Sequence, residues 1–583
     1  MRLRLLLSFS LVLLVLLVSV DRAQDLAPVT SPPISISPVV PDDVPGGAAQ
    51  ADLRTGARFA WQQFIALNWP ASEEGRDTPD VQRKFGEVGK RTHMVWETFR
   101  SKVEIYPGNG DADHGPHGSN KGAPSYGYDD DPRYIYENGE VKACSDAEAS
   151  TTAWVNLDEI SQVGFDFMYA GAATPGPHTE IDANSRLIRF TAKANRKHYE
   201  YIVGNKYWYV TKKPEPPSPA QVAQANFVAA VYANQFPPAD PYVRFPNGSM
   251  EVKAAFRRLT SKEALSGRFY MTTVRYYAKN AAGHPCYNEE EWGLLGLHII
   301  QKTPTAPSFT WATFEQADNL LTADGHFVEN ANGAVLRKTQ SETTPALRYQ
   351  DGLYRDEVAP IVTAQGPYCS DPGARLFYRD VAVDPNTGAN YKNTPHGFVC
   401  VNRRAHAIPD AVIAVNREAH QAIERYEIAN GVRKSPWHHY KLVNVQTYPF
   451  DKSSIAAPNS ARGAATYYTA NIVVETDYTL QHNSGGPATR TGGAPSDMAV
   501  NYLGRAGQPP PELTYKNTYV LNQNGTLRAR YNMGGCTGCH GLAQIIAGCD
   551  YSYLLVGSSV KEPETPDTKI GVLANRYHGR LAE

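Results

Sequence analysis

The sequence predicts an α+β fold: a β-rich body, peripheral helices and a C-terminal segment that carries a compact motif. Three observations point there. The 583-residue chain is rich in Tyr (34), Gly (46) and Pro (42), the balance of a turn-rich protein with many strands. Its middle holds runs of β-branched and aromatic residues bounded by turn residues. Only a few stretches, Asp52–Trp69 and Pro409–Asn430 foremost, carry apolar residues at helical spacing.

The first residues read as a targeting segment outside the fold. Arg2 and Arg4 precede Leu5–Val20, an apolar run interrupted only by Ser8, Ser10 and Ser19. That run fits the h-region of a signal peptide better than a spanning helix, which needs about 20 apolar residues. Cleavage is expected near Ala23; Asp21 suits a signal peptidase poorly, so an uncleaved anchor is the alternative. No cysteine follows the run, which argues against a lipoprotein anchor. After cleavage no membrane span is expected, and the destination is the periplasm or the exterior. Pro28, Pro32, Pro33, Pro38, Pro41 and Pro45 then predict an extended, solvated tether, because proline fixes φ and removes donors. The expected organisation is signal 1–23, linker 24–51, an N-terminal α+β region 52–213, a β-rich central region 214–480 and a C-terminal region 481–583.

Asp52 is placed to cap the first helix, with Phe59, Trp61, Phe64, Ile65 and Leu67 on a broad apolar face and Pro70 as its stop. Such an aromatic helix is expected in the core. Leu187–Val210 reads as strands around the Gly204-Asn205 turn, and Ser218 as the cap of a helix reaching about Gln235. Met250–Arg257, Gly267–Tyr277, Phe309–Phe314, Lys441–Tyr448 and Tyr467–Thr476 read as further strands. Glu291–Ile300 is largely apolar and reads as a buried strand. Within it His298 is either a core histidine bonded to a carbonyl or a functional group, and Gly293 and Gly296 would admit a flat ligand. Pro409–Asn430 is the clearest helix, ended by Gly431.

Charge and metal signals are sparse. Lys+Arg 57 against Asp+Glu 59 leaves no basic excess, so nucleic acid is not an expected partner. Asp111, Asp113, His114 and His117, and separately Asp129, Asp130 and Asp131, could bind a cation, but neither set has a known ligand spacing; a solvated loop is the expectation.

The specific signal is Gly534–Gly541, which contains Cys536-Thr537-Gly538-Cys539-His540: the C-x-x-C-H pattern that attaches haem c. Two cysteines at this spacing add to the vinyl groups, and the histidine that follows ligates the iron. The competing reading, a thioredoxin-like redox disulfide, needs a βαβ context that the glycine-rich flanks do not provide. Of the other five cysteines, Cys369 with Cys400 and Cys144 with Cys286 are the expected disulfides, and Cys549 is left over.

The motif resembles that of c-type cytochromes, but its position departs from their small soluble form. Only 43 residues follow His540 and none is methionine, so a downstream methionine ligand is excluded; Met533 lies before the motif. A C-terminal motif is similar to that of the four-helix cytochromes c-prime and of the β-sheet mono-haem cytochromes, both with five-coordinate iron. Ala60–Pro70, Trp292–Lys302 and Cys536–Leu555 together resemble a family of large exported bacterial proteins with one C-terminal haem-c motif. That resemblance implies export and one haem c, and implies no reaction.

Three functions remain in view. The chain is an oxidoreductase whose iron is open or weakly ligated on its distal side, with His298 as the distal acid–base group and a small molecule or redox protein as partner. Alternatively it is an electron-transfer subunit with a six-coordinate, low-spin haem, the second ligand being His298, His482, Met498, His578 or another residue brought in by the fold. A haem-bearing binding or sensor protein is the third.

Overall fold

In the computed structural model of the chain, the described residues are 32–89, 92–107, 126–145, 152–160, 187–207, 244–321, 326–336, 406–448 and 468–475, with short pieces that include 535–540 and 550–552. An eight-stranded sheet organises them. Its strands are β1 (Arg100–Ser101), β2 (Val155–Leu157), β3 (Arg189–Ala194), β4 (Met250–Arg257), β5 (Met271–Lys279), β6 (Pro285–Gln301), β7 (Thr310–Gln316) and β8 (Tyr440–Gln446). The order is β1-β3-β4-β6-β7-β8, with β5 paired to β6 and β2 to β5. Only the β2–β5 pairing is parallel. The long strand β6 is the spine, pairing with β5 along its first half and with β4 and β7 along its second. The fold is α+β.

Two helices cover one face. Helix α1 (Leu53–Leu67) starts where the Asp52 carboxylate accepts the Thr55 amide, which satisfies one of the amides that a helix start leaves open. Helix α3 (Asp410–Asn430) ends at Gly431 in the left-handed region, φ 65°, where glycine carries no Cβ penalty. Trp61, Phe64 and Ile65 of α1 and Val412, Val415 and Ile423 of α3 share one core with Val252, Leu297, Ile299, Ala312, Phe314 and Val445 of the sheet. Phe64 stacks on Phe314 at 4.4 Å, and the Trp61 indole donates to Asn416 Oδ1 at 2.8 Å. The aromatic face of α1 is therefore core, as expected.

Side chains alternate along strands, so the next residues face the other way. Lys253, His298, Thr313 and Asn444 lie opposite one another across β4, β6, β7 and β8, and so do Glu251, Ile300, Trp311 and Gln446. These two rows form the floor on which the C-terminal pieces sit.

Several expectations need correction. Helix α2 (Arg196–Gly204) occupies most of the second expected strand of 187–210. Asn195 accepts the His198 amide and caps it, so the odd-numbered Tyr199, Tyr201 and Val203 alternated by coincidence, not as a strand. The stretch 468–475 forms a turn and no strand: Asn471 accepts the Val473 amide at 3.0 Å, and the Glu475 carboxylate accepts the Asn471 amide at 2.7 Å. The proline-rich residues after Pro33 are partly packed on the body and not wholly solvated. Ile34, Val44 and Ala48 are buried, Gln301 Nε2 donates to the Pro41 carbonyl at 2.9 Å, and Asp43 accepts from the Thr303 and Thr305 hydroxyls at 2.6 Å. Proline extended this segment, and the body supplied the donors that bind it.

Cys144 and Cys286 form a disulfide, tying the segment after residue 140 to the start of β6. The side chains of Cys369 and Cys400 lie outside the described residues, as do the signal segment and most of the helix expected after Ser218. Among the described residues no helix is long and apolar enough to cross a membrane.

Candidate functional site

Gly535–His540 is a short helix, α4. Residues four apart on a helix are neighbours, so Cys536 and His540 share one side. The Cys539 side chain lies outside the described residues. Cys536 Sγ sits 2.7 Å from Thr469 Oγ1, and Gln446 Oε1 accepts the Thr537 amide at 3.1 Å. That second contact seats α4 on the sheet face opposite α1 and α3, so α1 does not reach this motif's side of the sheet.

The His540 ring packs on Trp311, 4.2 Å between centroids at 48°. Its Nδ1 is 2.9 Å from the carbonyl oxygen of Tyr551. A carbonyl only accepts, so Nδ1 donates, which makes the tautomer Nδ1–H and leaves the lone pair on Nε2. Burial lowers the imidazole to about 4; the Tyr551 carbonyl opposes this, and the charges of Lys253 and His298 add to it. At neutral pH the ring is thus uncharged, the form that ligates a metal.

His298 projects from the same sheet face and is close enough to contribute to the electrostatics of His540. Its Nδ1 has a hydroxyl partner, and its Nε2 has a carboxylate nearby without a hydrogen bond among the described residues. Nδ1 is 3.1 Å from Thr313 Oγ1, and Nε2 is 3.4 Å from Glu475 Oε2. Burial alone would raise Glu475, but the charge of the nearby His298 outweighs it and holds the carboxyl below the usual range. Lys253, directly across the ladder from His298, reaches Glu159 Oε2 at 3.5 Å.

The glycines flanking His298 serve packing. A Cβ on Gly293 would meet Leu259 at 2.7 Å, and one on Gly296 would meet Asn471 Nδ2 at 2.6 Å. Side chains of the chain itself fill the space that a flat ligand was expected to take.

The structure brings Cys536, His540 and His298 to one face of one sheet. His482, Met498, His578 and Cys549 lie outside the described residues, and so do Asp111, Asp113, His114 and His117. Asp129 and Asp130 have structural work: Asp129 pairs with Arg196, and Asp130 Oδ2 accepts the Gly127 amide. Among the described residues no three His, Cys, Asp or Glu side chains gather as a metal-binding group. No family model, curated protein or solved structure matches the chain. The chemistry rests on the site alone.

What this donor set can do is specific. The helical spacing puts the Cys536 thiol and the His540 imidazole on one side, and the imidazole is held neutral with Nε2 as its basic nitrogen. That would suit a covalently attached haem, which Cys536 would help attach and whose iron His540 would ligate. Trp311, Gln446, Thr469, Tyr551 and Glu475 are the members that sequence reasoning missed. Trp311 lay within an expected strand; for Tyr551 no local signal exists.

Proposed function

We propose that this chain is an exported c-type cytochrome, with one haem c bound through Cys536 and Cys539 and its iron ligated by His540. It acts in periplasmic redox chemistry as an oxidoreductase with an open or weakly ligated distal side. The observation that carries this reading is the hydrogen bond from His540 Nδ1 to the Tyr551 carbonyl, which presents a neutral imidazole with a basic Nε2 beside Cys536.

The haem, when bound, supplies one-electron redox chemistry. The chain orients and protects it. Tyr551 fixes the His540 tautomer, as partners of ligating histidines do. Trp311 buries one side of the imidazole and limits its rotation. His298 is the proton-handling group: Thr313 orients its ring, and the Glu475 carboxylate stands 3.4 Å from its Nε2.

A pure electron carrier with six-coordinate iron needs a second donor. With both nitrogens facing Thr313 and Glu475, His298 is better placed for proton transfer than for ligation. Absorption spectra of the ferric and ferrous protein, with and without carbon monoxide, separate the two. A high-spin spectrum that shifts with carbon monoxide is expected; a low-spin spectrum indifferent to it would exclude the open site.

A further inference from the structure

Beside the motif lies a second group of titratable side chains, with a different set of partners. Glu251 of β4 belongs to the same cross-strand row as Trp311, the residue beneath the His540 ring. It is 5% exposed, and among the described residues Oε1 has no hydrogen-bond partner. His198 of α2 is fully buried and stacks on Phe245 at 3.9 Å, with neither ring nitrogen hydrogen-bonded among the described residues. His198 Nδ1 and Glu251 Oε1 are 3.5 Å apart. An imidazole and a carboxyl oxygen buried together with no other hydrogen bond on the facing atoms are costly to leave unpaired unless they share a proton.

This pair touches the segment that orients His540. The Ser552 side chain hydrogen-bonds Glu251, and Asp550 acts on the same carboxyl. Asp550 is itself anchored by Lys302 and by the Phe245 amide. Tyr551, between Asp550 and Ser552, supplies the carbonyl bound to His540 Nδ1. The titratable and charged groups facing Glu251 are thus His198 from α2 and Asp550 from the C-terminal segment, with Lys302 behind Asp550. Its ladder neighbours on β3 and β6 are Ala194 and Ile300, both uncharged.

We propose that Glu251 and His198 form a proton-exchange site coupled to the redox state of the centre on His540. At a pH where Glu251 is ionised in the oxidised protein, reduction of that centre by a one-electron donor is accompanied by one proton from solvent binding the Glu251 carboxylate; on oxidation the proton leaves, and the net charge of the site is unchanged. This rests on the reading of His540 as the ligand of a redox-active haem. Burial raises Glu251 to about 8, with Ser552 opposing and Asp550 adding to the rise, while burial takes His198 down to about 3. The shared proton therefore resides on the carboxyl at neutral pH, and its exchange falls in an accessible range.

The test is the midpoint potential of the full-length protein between pH 6 and 9, by spectroscopic titration with small-molecule mediators, alongside proton uptake on reduction by dithionite in weak buffer. The potential should fall as pH rises through the region around 8, with matching proton uptake. Glu251→Gln should flatten that region and abolish the uptake while the visible spectrum is retained. Ser552→Ala, which removes a bond favouring the carboxylate, should move the inflection to higher pH, and it serves as the test if Glu251→Gln does not fold. A flat wild-type profile, an unchanged slope in Glu251→Gln, or an unmoved inflection in Ser552→Ala overturns this inference and leaves the haem reading standing. A chain without covalent haem overturns both.

Discussion

His540 and Tyr551 are joined side chain to main chain: the imidazole Nδ1 donates to the Tyr551 carbonyl at 2.9 Å, eleven residues downstream. Because the acceptor is backbone, the tautomer of His540 depends on the path of the chain and not on the tyrosine ring. His540→Ala should lower haem retention or move the Soret band. Tyr551→Phe should leave both unchanged, since the carbonyl stays. Absorption spectra of haem-stained, purified variants check this; an unaltered His540→Ala spectrum would remove His540 as the ligand.

Glu475 stands 3.4 Å from His298 Nε2, and the His298 charge helps hold its carboxyl below the usual range. An opposite charge at this range favours the ionised carboxylate, so His298→Ala should move the Glu475 titration to higher pH, read from its side-chain carboxyl resonance. With the ring nitrogens facing Thr313 and Glu475, His298→Ala should also leave the spin state of the haem unchanged. A change of spin state would make His298 a ligand instead of an acid–base group.

The disulfide between Cys144 and Cys286 closes a loop across 142 residues of separation. Restricting so long a loop in the unfolded chain contributes on the order of 3–5 kcal/mol. The bridge also lies where the Cys144 amide donates to the Tyr287 carbonyl at 2.9 Å, so it fastens an edge of the sheet. The double variant Cys144→Ala, Cys286→Ala should unfold at clearly lower urea concentration than the parent. An unchanged midpoint would mean that the edge is held by its backbone bonds alone.

What was legible in the sequence follows from the range of each signal. The Asp52 cap, the Gly431 stop and the strand at Met250–Arg257 are set by residues within a few positions, and they lie where the sequence placed them. The C-x-x-C-H spacing is also local, and it marked the helix that became the centre of the site. Tyr199–Val203 misled because a cap at Asn195 outweighs aromatic strand propensity. The partners of the site were not legible at all. Lys302 meets Asp550 across 248 positions and Thr469 meets Cys536 across 67, and no pattern within one stretch carries such pairings.

A buried charge cluster closes the far end of the same sheet face. Arg404 pairs with Glu315 of β7 and, at 2.8 Å, with Glu329; Lys441 of β8 reaches Glu329 at 2.6 Å. Burial alone would raise Glu329, but the Arg404 and Lys441 charges outweigh it and hold the carboxyl at about 2, against an ordinary 4.5. A folded value below the unfolded one stabilises the protein above pH 4.5, and that contribution is lost as pH falls from there towards 2. Each unit is worth about 1.4 kcal/mol, so Glu329 stands to lose roughly 3 kcal/mol over that window. Urea unfolding at pH 7, 5, 4 and 3 should show the loss beginning below pH 5. Glu329→Gln should be less stable at pH 7, because Arg404 and Lys441 then lose their shared counter-charge, and it should lose less on acidification than the parent. Parallel curves for the two proteins would show that Glu329 is not the group whose protonation weakens the fold.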